Sequence, residues 1–154
     1  MSDVDIAVTK IREAMEDSPE AWVTAIEGLV ADSLQVLHDP PVDDWGSTEE
    51  VEGRVDSARM CTVWRQEILA FRRAAPDYHV SHVDVHATPD GGVYFGNHHT
   101  GTLKDGRVIS APVSITTAPL ENGKIVSWTV KTYDDAIPQL RDWLAAGEMQ
   151  VPQA

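Results

Sequence analysis

The chain has 154 residues, a size that suits one domain and is long enough to bury a hydrophobic core. Its hydrophobic content of 42% and charged content of 24% are those of an ordinary globular protein, and no stretch is apolar for long enough to span a bilayer. Twelve Lys and Arg against twenty-five Asp and Glu give a net charge of −13, spread along the chain, which argues against nucleic acid and membrane surfaces as partners.

The opening residues Met1-Ser2-Asp3-Val4-Asp5 are acidic where an export signal needs a basic start and an apolar run, so a soluble, cytoplasmic protein is expected. Cys61, the single cysteine, permits no intramolecular disulfide and reads as a small buried apolar residue within a helix.

The first third is helical in pattern. Val4, Val8, Ile11 and Met15 recur at spacings of four, three and four, which places them on one helix face. Ser18 then serves as an N-cap with Pro19 at the first helical position, and Trp22, Val23, Ile26, Leu29 and Val30 form the stripe of a second helix. Residues 34–38 read as a short strand ended by Asp39-Pro40-Pro41, where the prolines remove ladder donors. Ser47 followed by Glu50 has the form of a capping box, predicting a long helical stretch through Arg73 that carries Val51, Val55, Trp64, Ile68 and Phe71.

From Tyr78 the period becomes alternating, and Asp90-Gly91, Asp105-Gly106 and Asn122-Gly123 each predict a two-residue type I′ hairpin turn. Four antiparallel strands follow at 78–88, 93–103, 107–119 and 124–133. A C-terminal helix over 134–146 carries Ile137, Leu140, Trp143 and Leu144, with Gly147 past its last turn. The order predicts one α+β domain over 1–154, with helices covering one face of a mostly antiparallel sheet around an apolar pocket.

This order, with His38-Asp39-Pro40-Pro41 closing the first strand and Glu121-Asn122-Gly123-Lys124-Ile125-Val126-Ser127-Trp128 opening the last, resembles the nuclear transport factor 2-like superfamily. Within it the chain is most similar to SnoaL-like polyketide cyclases and their ketosteroid isomerase relatives, over about Ile6 to Trp143 and including His99-Thr100-Gly101. The resemblance implies a curved, cone-shaped mixed sheet wrapped around the N-terminal helices, a pocket for a hydrophobic small molecule, acid–base chemistry without a cofactor, and a homodimer.

The residues suggest where such chemistry sits. Asp39 occupies a position similar to that of the general base in ketosteroid isomerases; its other role is to organise an Asx turn before Pro40. His38 should point to the opposite face from Asp39. With Asp90-Gly91 as a two-residue turn, Val83 faces His98 and His82 faces His99. That puts Tyr94 and His98 on the apolar side, where His98 is either an acid or donor toward substrate or a histidine bonded to a neighbour.

His82, Asp84 and His86 share the other side, but i and i+4 on a strand lie about 13 Å apart, too far for one metal, so no metal site is expected. Ser114 and Thr116 on one strand, and Trp128 and Val130 on the next, complete the expected lining together with Trp64. Trp22, Trp64 and Trp143 also fit helical core stripes, and Trp45 either closes the pocket mouth or packs on the surface.

Ser114 stands where the resemblance implies an acidic oxyanion donor, and Thr129 and Val130 follow Trp128 where some relatives carry an acid. The expected function is a cofactor-independent cyclase, isomerase or dehydratase on a polyketide, terpenoid or steroid-like molecule, with Asp39 as base and His98 as donor. The alternatives are a non-catalytic binding or dimerisation module and an epoxide or ester hydrolase.

Overall fold

The computed structural model describes residues 1–39, 52–133 and 136–148. Helix α1 (Asp3–Asp17) starts from a capping box, in which the Ser2 hydroxyl accepts from Asp5 N and the Asp5 carboxylate accepts from Ser2 N. Helix α2 (Pro19–Leu29) is capped by Ser18, whose hydroxyl accepts from Ala21 N at 3.0 Å, with Pro19 in the first turn as predicted.

Strand β1 (Val30–Asp39) is longer than the predicted 34–38. The predicted capping box at Ser47 and Glu50, with Val51, lies outside the described residues. Val55 belongs to a short strand β2 (Gly53–Asp56), and helix α3 (Ser57–Ala74) begins only after it, capped by Asp56. The structure thus places residues 53–56 of the predicted long helix in a strand paired antiparallel to β1.

Strands β3 (His79–Ala87), β4 (Val93–Thr102), β5 (Val108–Thr117) and β6 (Ile125–Thr132) form the predicted meander, and helix α4 (Ala136–Ala146) follows. The six strands make one mixed sheet in the order β2-β1-β6-β5-β4-β3, in which β1 runs parallel to β6 and every other pair is antiparallel. Bulges interrupt the β1–β6 and β3–β4 ladders; such insertions sharpen twist and curve a sheet. Helix α1 packs on β3 and β4, α3 on β1 and β2, and α4 on β5 and α3. No described helix is long and apolar enough to cross a membrane.

The first hairpin departs from its predicted register. Thr88 N donates to Gly92 O at 2.9 Å and Gly91 N to Thr88 O at 3.2 Å, so the loop has three residues, Pro89, Asp90 and Gly91. Gly91 has φ +94°, the left-handed geometry that closes a three-residue loop. The second hairpin repeats this arrangement at Lys104-Asp105-Gly106, whereas Asn122-Gly123 forms the predicted two-residue turn. Asp-Gly therefore ends a longer loop in two cases out of three. The extra residue pairs Val85 with Phe95, and a bulge beside His82 (φ 55°) then pairs Ser81 with His98 and Val80 with His99. On β4 the inward parity is Phe95, Asn97 and His99.

Close packing of α4 depends on Gly101. A Cβ there would lie 2.6 Å from the Trp143 ring and 2.9 Å from Ala75 Cβ, while Trp143 Nε1 donates to Phe71 O at 3.0 Å from within the core. Gly101→Ala is therefore expected to destabilise the fold by roughly 1–3 kcal/mol through overpacking, read as a lower urea midpoint with unchanged slope.

Candidate active site

The concave face of the sheet and the helices enclose a cavity of about 130 Å³. A single water needs roughly 10–15 Å³ measured in the same way, so this space suits an organic ligand. Its wall is largely aromatic and aliphatic. Trp64 of α3 lies between Trp22 of α2 and Trp128 of β6, with centroids 4.8 and 5.6 Å away and planes within 16° and 6°. Val130 also lines the cavity, one inward step along β6 from Trp128.

Strand β1 supplies the first polar group. Leu34 and Val36 are buried, so the two-residue period carries His38 inward and leaves Leu37, half exposed, and Asp39 outside. His38 lines the cavity, while Asp39 is exposed and away from it, which removes the position required of the expected base. His38 Nδ1 lies 2.6 Å from Glu52 Oε2. A carboxylate only accepts, so Nδ1 carries the proton and the neutral ring keeps its lone pair on Nε2. Burial lowers the His38 pKa, and the Glu52 carboxylate opposes that shift without cancelling it.

Strand β4 supplies the second. His99 lines the cavity and His98 lies on the outer face, its ring stacked 4.3 Å from His82 and its Nδ1 3.2 Å from Ser110 Oγ. The expected inward His98 is thus corrected to His99 by the one-residue change of register. Tyr94 lies outside for the same reason, stacked on His86 at 4.8 Å. Ser114 and Thr116 alternate with the buried Ile115 and Thr117 and share that outer face, so they do not line the cavity. Trp45 lies outside the described residues.

The His99 ring is held by Tyr78, whose Oη is 2.8 Å from His99 Nδ1. Burial pushes the Tyr78 pKa far up, so the phenol keeps its proton, and a buried O–H needs an acceptor. Tyr78 therefore donates to Nδ1, which leaves the proton of neutral His99 on Nε2. Burial, and secondarily the charge of His98, lowers the His99 pKa to about 4. The two cavity imidazoles are consequently opposite tautomers, one with a lone pair and one with an N–H that no described residue engages.

Glu67 is the third polar group. It falls on the cavity stripe of α3 with Trp64, Ile68 and Phe71, is partly buried, and has neither a hydrogen bond nor an ion pair among the described residues. Burial raises its pKa to about 7. The sequence carried a signal for it: a glutamate three residues after Trp64 and four before Phe71 interrupts an apolar helix face. His38 was similarly legible from the parity of Leu34 and Val36. Tyr78, Glu52 and the buried Asn97, which also lines the cavity, carried no comparable signal.

Cys61 is buried in α3 as expected, and desolvation pushes its thiol up to about 11. Among the described residues no three His, Cys, Asp or Glu side chains come together as a metal site; Asp84 approaches His86 at 3.3 Å, while His82 stacks on His98 instead.

Helices packed on the concave face of a mixed six-stranded sheet, with an apolar cavity between them, define an α+β fold. Solved structures make the assignment specific. An NTF2-like protein of unknown function from Burkholderia pseudomallei K96243 aligns with a TM-score of 0.61 and 15% identity, covering 91% of this chain and 98% of that one. PrhC from Penicillium brasilianum aligns at 0.58 and 8%, covering 96% and 93%, and TerC, co-crystallised with polyporic acid, at 0.56 and 11%, covering 90% and 98%. The chain has the nuclear transport factor 2-like fold, which ketosteroid isomerase-like proteins share. No protein-family model matches the sequence, and no curated protein matches it at the sequence level.

Linkage gives the cost of Glu67 a sign. A carboxyl whose pKa rises from 4.5 to about 7 on folding favours the folded state below pH 4.5 and loses that contribution as pH rises through about 7. Glu67→Gln should therefore be more stable than the parent above pH 7, with the difference closing toward pH 4.5, measured by urea melts across that range.

Proposed function

We propose that the protein is a cofactor-independent acid–base enzyme that moves a proton next to a carbonyl of a hydrophobic small molecule, as an isomerase or cyclase does. The observation that carries this reading is the pair of cavity imidazoles held as opposite tautomers by Glu52 and Tyr78.

His38, oriented by Glu52, takes the proton through Nε2. Its lowered pKa keeps the ring neutral, hence basic, at neutral pH. His99 donates Nε2–H to the oxygen on which negative charge develops, and its depressed pKa keeps it a neutral donor that does not itself lose charge in the step. The imidazolium formed on His38 returns the proton at a second carbon, which completes an isomerisation, or the enolate attacks a second carbonyl and the imidazolium protonates the alkoxide so formed, which completes an aldol-type cyclisation and restores neutral His38. Trp64, Trp128 and Val130 supply the apolar contact surface. The exposed outer sheet face carrying His98, Ser114 and Thr116 is the surface through which a homodimer would form.

The test is exchange of the α-protons of 2-tetralone in deuterated buffer, followed by NMR. The parent protein is expected to accelerate exchange, and His38→Gln to slow the protein-dependent rate by about 10²–10⁴-fold while leaving binding of the ketone in place. Tyr78→Phe, which frees the His99 tautomer, should lower the rate at saturating ketone more than it weakens binding. Exchange at the buffer rate with the parent, despite tight binding, would instead mark the cavity as a non-catalytic binding site.

A further inference from the structure

The proton-transfer reading uses two imidazoles and leaves Glu67 without a role. Its situation differs from that of the two imidazoles, because His38 is tied to Glu52 and His99 to Tyr78, whereas Glu67 is bonded to nothing among the described residues. Of the cations on its own helix, Arg65 pairs with the Glu27 carboxylate, and Arg72 is committed as well. Its Nη2 and Nε donate to the Glu20 carboxylate at 2.6 and 3.2 Å, and its Nη1 donates to Tyr78 O at 3.1 Å. From the sheet side the titratable groups lining the cavity are His38 and His99, both kept neutral by burial, and Tyr78, whose phenol stays protonated.

Among the described lining residues, Glu67 is therefore the one able to place a formal charge in the cavity at neutral pH. A carboxylate in an apolar cavity must either take a proton or find a donor, and no described residue donates a hydrogen bond to it. A ligand ammonium would satisfy it with a charge-assisted hydrogen bond in a low-dielectric setting, stronger than the neutral bond a protonated carboxyl could give to a carbonyl. The net charge of −13 further favours entry of a cation over a neutral or anionic competitor.

We propose that Glu67 anchors a positively charged nitrogen of the ligand, so that the cavity takes a small aromatic or alicyclic amine whose apolar body packs against the Trp22–Trp64–Trp128 stack. The assignment rests on the reading that this cavity is the protein's small-molecule site, and taken with the imidazole pair it describes an amino ketone.

Two probes of matched size separate the possibilities: N,N-dimethylbenzylamine, a cation at neutral pH, and N,N-dimethylbenzamide, which is neutral and offers only an acceptor oxygen. Isothermal titration of the parent protein is expected to show the amine bound at least about tenfold more tightly, a difference of about 1.4 kcal/mol. Amine affinity should also rise with pH through about 7, with proton release visible as a buffer-dependent heat, since binding requires the ionised carboxylate. Glu67→Gln, checked for folding by its melt, should abolish the preference by weakening the amine and sparing the amide, and Glu67→Asp should retain part of it.

Amide binding equal to or tighter than amine binding in the parent would overturn the proposal and make protonated Glu67 a donor to an acceptor ligand. Failure of both probes to bind, or an amine affinity indifferent to Glu67→Gln, would overturn it as well. The proton-transfer reading is judged separately, by 2-tetralone exchange and its loss in His38→Gln.

Discussion

A curved sheet with a cavity on one face only makes the two-residue period of its strands the constraint on which the rest of this structure depends. Along β1, β4, β5 and β6 each side chain is committed either to the concave wall or to the outer face, and neighbours in sequence have opposite fates. Asn97 and His99 face the cavity and Phe95 is buried on the same side, while Tyr94, His98 and Thr100 face away; Ile115 is buried between Ser114 and Thr116; Trp128 and Val130 flank the exposed Thr129. The chemistry available in the cavity is thus decided by hairpin loop length as much as by residue type.

The polar residues admitted to the cavity fall into two kinds. His38 and His99 are each held by a partner that fixes both ring orientation and tautomer, so their roles as acceptor and donor are set before any ligand arrives. Tyr78 is in turn held from outside the cavity, where Arg72 binds its carbonyl oxygen and sits 5.4 Å from its ring while clamped by Glu20. This chain of contacts links the surface of α2 to the imidazole of His99. Among the described residues Glu67 has no such support, and burial raises its pKa.

Much of the fold was legible in the sequence because it rests on long periodic patterns. The stripes of α1 and α2, the Ser18-Pro19 start, the Asn122-Gly123 turn and the change to alternation at Tyr78 all appear where those patterns place them. The site was less legible because it depends on single-residue offsets. Asp-Gly fits a two-residue turn and the end of a three-residue loop equally well, yet the choice exchanges His98 for His99. The resemblance points to Asp39 as base, whereas the parity of the buried Leu34 and Val36 points inward at His38. Strand β2 has only four residues, too few to establish a period, and the bulge at His82 places a non-glycine residue at φ 55° with nothing in the local sequence to announce it.

The three stacked indoles have an optical consequence. Nearly parallel rings at centroid separations of 4.8 and 5.6 Å couple their excited states, and the Trp22–Trp64–Trp128 array spans two helices and a strand. Its near-ultraviolet circular dichroism is then a property of the assembled cavity wall, not of any one residue. A molecule that slides against the stack or spreads it alters that signal directly, so the protein carries an intrinsic chromophore in the wall of its cavity.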